Sequence, residues 1–128
     1  MEFPVRIPFV DTLGFELIRF DSTGSEIAVD VRDEMCNSWS VAHGGVTMTL
    51  LDVVMAHAAR RSGVQPVEEA IGVVTVEMKT SFMRPGVGRL VGRGKLLRRG
   101  RTLAFAEGEV LQDERLVAKV SVTFALVG

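Results

Sequence analysis

The chain of 128 residues has no tyrosine, one tryptophan, one cysteine and two histidines. Cys36, standing alone, cannot form an internal disulfide or supply a two-cysteine metal site. His43 and His57 are too few for a histidine-rich metal centre, so neither a metal nor a cofactor is expected. No uninterrupted run of ~18 apolar residues occurs, so no membrane-spanning segment is expected. The opening stretch MEFPVRIPFVDTLGFEL carries acids and two prolines and does not read as a secretory signal. A cytoplasmic location is the expectation. An excess of one charge is also missing, because 15 basic residues against 16 acidic ones give a formal net charge of -1. That balance predicts no general attraction to nucleic acid or to an anionic membrane.

Apolar residues are what the chain does have. They make up 47% of it, and the mean hydropathy is +0.26. The length fits one domain over residues 1–128 with a proper core. The apolar surplus is read as surface buried against another subunit.

Residues 1–12, broken by Pro4 and Pro8, read as an irregular segment. Phe15 to Phe20 reads as a short strand or a turn of helix, and Glu26 to Arg32 alternates like a strand. Residues 33–42 read as a loop. From Gly44 to Arg61 the period becomes helical, with Leu50, Val54 and Ala58 four apart. This helix is apolar nearly all round, so protein should surround it. Ser62-Gly63 is read as its end, with Arg60 and Arg61 suited to the negative end of the helix dipole. Strands are expected over Ala70 to Phe82, Gly88 to Arg98, Arg101 to Leu111 and Leu116 to Leu126. The breaks at residues 98–101 and 112–114 read as hairpin turns. The fold class is therefore α+β: a long central helix wrapped by a five- or six-stranded antiparallel sheet.

Two features carry chemistry. Gly44-Gly45 opens the helix, where backbone N–H groups have no internal partner and the dipole is positive. Such a place polarises a carbonyl oxygen and holds developing negative charge. Asp52 is the lone carboxylate in apolar helical surroundings. It needs a polar partner, a raised pKa or a water-filled cleft, and it suits a general base or nucleophile. Eight residues separate Gly44 from Asp52, ~12 Å along a helix. Both can touch one carbonyl group only if they come from different subunits, which requires a homodimer.

These residues carry a resemblance. Asn37, then His43-Gly44-Gly45, then Asp52 stand in the order found in the hotdog-fold acyl-CoA thioesterases, in particular the phenylacetate-degradation type of the thioesterase superfamily. Residues 74–78 leading to Phe82-Met83-Arg84-Pro85-Gly86, and the stretch Gly100 to Ala106, are further matches, so the resemblance runs from about Gly14 to the end. It implies hydrolysis of an acyl-CoA substrate. Asp52 resembles the catalytic carboxylate, and Gly44 the backbone donor supplied across a dimer. Asn37 is similar to the residue positioning carbonyl or water, His43 to the one ordering the loop, and Thr75 to a Ser or Thr that holds the attacking water. A homotetramer follows from the same resemblance. Trp39 departs from it, since relatives often carry small residues there.

Substrate contacts are expected from Gly45, Trp39, Met48 and Phe82, with Arg84 and Arg99 as docks for CoA phosphates. Met48 and Met55 flank Asp52 and read as core able to line an acyl pocket. His57, ~140° round the helix from Asp52, reads as a satisfied core or surface histidine. Glu77, two residues from Thr75, reads as structural and on the same strand face. The bland reading of Asp52 is a carboxylate paired for structure alone, and that of the basic residues in the second half is a solvated face. Two other functions fit the same frame: a non-catalytic acyl-CoA binder, and a hotdog enoyl-CoA hydratase or dehydratase.

Overall fold

The computed structural model describes residues 1–61 and 72–127. The expected helix stop at Ser62-Gly63 and the strand start at Ala70 lie outside the described residues. Among the described residues two α-helices, α1 (Pro8–Leu13) and α2 (Gly44–Arg61), accompany six strands. The strands are β1 (Glu16–Asp21), β2 (Gly24–Asp30), β3 (Gly72–Phe82), β4 (Arg89–Arg99), β5 (Leu103–Gln112) and β6 (Arg115–Val127). They form one antiparallel sheet in the order β1-β2-β4-β5-β6-β3. β4, β5 and β6 are the expected hairpin-linked meander. Asp113 and Glu114, both with positive φ, make the tight turn between β5 and β6.

The sheet curves around α2. Leu50, Leu51, Val54, Met55 and Ala59 are fully buried against it. Small residues let the helix come close: a Cβ on Gly94 would lie 2.8 Å from the Val54 carbonyl oxygen. The Ser25 hydroxyl donates to that same oxygen at 2.5 Å. Alternation in β5 runs with its small residues inward. Ala104 and Ala106 are buried, whereas Leu103 and Phe105 are exposed. The register explains it, since Ala104 faces Phe124 and Ala106 faces Val122 on β6. Large side chains on one strand leave room only for small ones on the next.

The expectation of an irregular 1–12 is corrected by α1. Pro8 occupies its first turn, where a missing N–H costs nothing. Gly14, at φ +72, ends it in the left-handed conformation. The Arg32 guanidinium donates to the Thr12 and Leu13 carbonyls at its end. Val10 is buried, so α1 lies against the core rather than trailing from it.

The loop before α2 is pinned. A 3-10 turn at Asp33–Met35 leads into an antiparallel bridge between Cys36 and Ala42. His43 N–H donates to Met35 O and Ala42 N–H to Gly86 O, each at 2.8 Å. These bonds fix where α2 begins.

Candidate active site

α2 is buried by the sheet on most of its circumference. One stripe escapes: Met48, Asp52, Ala56 and Arg60, four residues apart, are only partly buried. This stripe forms one wall of a cleft of about 430 Å³. Ile7, Phe9 and Val10 from the α1 region form another, and Val73, Thr75 and Met78 of β3 a third. Sequence reasoning missed the α1 wall and the contributions of His57 and Arg60. The signals were Pro8 followed by Gly14 for the first, and the four-residue spacing Asp52, Ala56, Arg60 for the second.

Asp52 has a polar partner in this cleft. The Thr75 hydroxyl donates to Asp52 Oδ1 at 2.5 Å. The other carboxylate oxygen has no protein donor among the described residues. A bulge in β3 makes the contact. Thr75 pairs with Phe124 and Glu77 with the adjacent Thr123, so Val76 is the extra residue. Thr75 therefore turns toward α2, and Glu77 takes the opposite face, where it accepts the Thr123 hydroxyl at 2.7 Å. The expectation that Thr75 and Glu77 share a face is corrected by this bulge.

The start of α2 is arranged differently at its two glycines. His43 Nδ1 accepts the Gly45 N–H at 2.8 Å and caps the helix. Gly45 is therefore already satisfied. The Gly44 N–H donates to nothing among the described residues and remains available. Phe82 lies beside it: a Cβ on Gly44 would be 3.4 Å from Phe82 Cζ. Asn37 Oδ1 accepts the N–H groups of Trp39 at 2.9 Å and Val41 at 3.4 Å, which holds the loop in shape. Trp39 sits at the loop tip, 83% exposed. It does not line the cleft beside Asp52.

The structure thus brings Asp52, Thr75 and Met48 to one cleft and Gly44, Gly45, His43 and Phe82 to the helix start, with Asn37 and Trp39 in the adjoining loop. It does not bring Gly44 to Asp52, because both lie on the same straight helix, ~12 Å apart. Arg84 is exposed after β3. Arg99 directs Nη1 to the Ala59 carbonyl at 3.5 Å, near the end of α2. Part of the basic bias is an ion-paired surface, since Arg89, Arg93 and Lys95 meet Glu16, Glu26 and Glu107. Among the described residues no three His, Cys, Asp or Glu side chains gather in a way that would hold a metal. None of the described helices is long and apolar enough to cross a membrane.

His57 is fully buried and lines the cleft. Its Nδ1–H donates to Val53 O at 2.8 Å, and its ring meets the edges of Phe3 and Phe20. Burial lowers its pKa, opposed by the bond to Val53 and assisted by the charge of Arg60. The neutral ring is therefore favoured.

Comparison with known proteins agrees with this architecture. The family model described as thioesterase superfamily matches residues 40–119. A medium/long-chain acyl-CoA thioesterase, YigI of Escherichia coli K12, is 29% identical over 95% of this chain and 87% of its own. The structure of conserved protein PA5202 from Pseudomonas aeruginosa superposes with a TM-score of 0.89 at 26% identity, covering 97% of both chains. The E. coli PaaI protein of the phenylacetic acid degradation operon shares the fold at a TM-score of 0.83 and 21% identity, over 94% of this chain and 84% of that one. The chain belongs to the thioesterase superfamily and is a thioester hydrolase of hotdog fold.

Proposed function

We propose that this protein hydrolyses an acyl-CoA thioester to a carboxylate and free CoA. The observation that carries the reading is Asp52, held by Thr75 at 2.5 Å on the wall of an apolar cleft. The free Gly44 N–H at a helix start supplies the other half of the chemistry. Water attacks the thioester carbonyl carbon while Asp52 accepts its proton. The developing oxyanion is held by Gly44 of the partner subunit. The C–S bond then breaks, and the CoA thiolate leaves and takes up the proton. In the variant with Asp52 as nucleophile, its oxygen attacks the carbonyl carbon, the C–S bond breaks to release CoA thiolate, and water then opens the resulting anhydride to the carboxylate product and free Asp52. His43 and Gly45 set the helix start, and Asn37 shapes the loop that leads to it.

Two observations support a homodimer. Asp52 and Gly44 are too far apart on one helix to share a carbonyl group. β3, an edge strand of 11 residues, also leaves Val74, Val76 and Phe82 more than half exposed. A second copy laid along β3 would cover these side chains and bring its own helix start towards the Thr75 side of the cleft. The tetramer rests on the family resemblance alone.

The cleft wall of Ile7, Val10, Met48, Val73 and Met78 suits an aliphatic acyl chain, in keeping with the name of the E. coli relative. The phenylacetate-degradation subtype rests on the motif order Asn37, His43-Gly44-Gly45, Asp52. Arg84 is exposed and unpaired among the described residues, and it is the stronger candidate for the CoA phosphates. Arg99 already spends a donor on Ala59.

The test is Asp52→Asn, assayed by thiol release from a panel of acyl-CoA esters. Turnover should fall by a factor of about 100 or more, with the melting temperature held within a few degrees. Near-normal thiol release by that variant would remove Asp52 from the reaction.

A further inference from the structure

Arg60 has no role in the chemistry above, yet it lines the same cleft. Its Nε and Nη1 are buried and have no hydrogen-bond partner. Arg60 as a whole is half-buried, and this partial burial lowers its pKa from the ordinary guanidinium value. Among the described residues no carboxylate pairs with Arg60. Ile7, Val10, Val73 and Met78 are apolar, and neighbouring His57 is buried as a neutral ring whose Nε2 is itself unpartnered. Asp52, the carboxylate on this wall, stands two turns away.

The spacing gives the arrangement a direction. Arg60 is eight residues beyond Asp52, ~12 Å along α2. Helical side chains lean toward the N-terminus, so the guanidinium leans back over Ala56. An acyl chain whose thioester sits at Asp52 would run along this stripe. At about 1.2 Å per bond, a chain of roughly six to nine atoms brings its far end to Arg60.

Resting on the thioesterase reading, we propose that Arg60 recognises the far end of the acyl group, and that the preferred substrate is an ω-carboxyacyl thioester of medium length. The terminal carboxylate supplies the missing counter-charge and accepts the unmet guanidinium donors. The methylene chain fills the apolar wall between the two ends. Arg60 is then a specificity residue, distant from the reacting carbon.

The experiment compares octanoyl-CoA with its ω-carboxy analogue, suberyl-CoA, and with ω-hydroxyoctanoyl-CoA. The wild type should favour suberyl-CoA over octanoyl-CoA by about tenfold or more in kcat/KM. Arg60→Leu should abolish the ratio that favours suberyl-CoA over octanoyl-CoA, and Arg60→Lys should retain part of the carboxylate preference. Free suberate should raise the melting temperature of the wild type but not that of Arg60→Leu, a readout independent of catalysis. Two results would overturn the inference: a wild-type preference for octanoyl-CoA or the hydroxy ester, or a carboxylate preference that survives Arg60→Leu. Octanoyl-CoA cleavage that depends on Asp52 but shows no ω-carboxy preference sinks only this inference. Thiol release that survives Asp52→Asn sinks the reading beneath it.

Discussion

Replacing Gly94 with alanine puts one methyl group where the fold has no room. Its Cβ would lie 2.8 Å from Val54 O, 2.9 Å from Val54 C and 3.1 Å from Met55 Cα. All three are backbone atoms of α2, so no side-chain rotation relieves the clash. The helix itself must move. Val54 O also accepts the buried Ser25 hydroxyl, so the movement strains that bond as well. Overpacking a core costs about 1–3 kcal/mol, and a clash with backbone belongs at the upper end. For a domain of this size that corresponds to a melting temperature lower by roughly 10 °C. Turnover should fall too, because α2 carries Asp52 away from Thr75. The control is Gly100→Ala, whose Cβ meets only Leu103 O at 3.4 Å. It should stay within about 0.5 kcal/mol of the wild type. Thermal and urea unfolding of the two variants, with thiol-release kinetics, make the comparison. A Gly94→Ala protein melting within about 2 °C of wild type would refute the close approach of helix and sheet.

Other outcomes follow from the site. Thr75→Val removes the donor to Asp52 Oδ1 but keeps the shape of the side chain. Its kcat should drop by about 10- to 100-fold, with little change in melting temperature, and an unchanged kcat would deny Thr75 any part in the reaction. Single turnover in 18O-water tests Asp52 as nucleophile: an unlabelled first product, with the label carried by Asp52, means that water opened an anhydride at the Asp52 carbonyl. His57 gives a pH dependence of definite sign. Its folded-state pKa lies below the ordinary 6.5, so the unfolded chain binds the proton more readily. Stability is full above about pH 6.5 and declines as pH falls below it. His57→Phe should flatten that part of the decline between pH 7.5 and 5.5 in urea unfolding, and an unaltered slope would contradict the burial of a neutral ring.

Much of the fold was legible because the period of the sequence changes where the structure changes. The helix from Gly44 to Arg61 and the meander after Arg89 show in apolar spacing and turn residues alone. The pair Asp52 and Gly44 was legible as a geometric conflict, since two groups on one helix cannot meet. Three features were not legible, each for a physical reason. Pro8 reads as a breaker, although proline suits a first helical turn and Gly14 marks the end. The bulge at Val76 reverses strand alternation without any residue that announces it, so Glu77 was placed on the wrong face. In β5 the small residues face inward because of their partners on β6, and a strand read alone does not reveal its neighbours. The cleft was hidden for a similar reason: α1 and β3, far apart in the sequence, close it from two sides.

The central claim is that each reaction centre combines Asp52 of one subunit with Gly44 of the partner subunit. Mixing two inactive variants tests it directly. Asp52→Asn removes the carboxylate, and Gly44→Pro removes the backbone donor at a position where helices tolerate proline. A dimer holding one copy of each contains one wholly intact site if the halves come from different subunits. Unfolding and refolding the two together in equal amounts should restore about a quarter of the wild-type thiol release, because half the dimers are mixed and each has one good site of two. If the mixture stays as inactive as its parents while mixed dimers are demonstrably present, the shared site is contradicted.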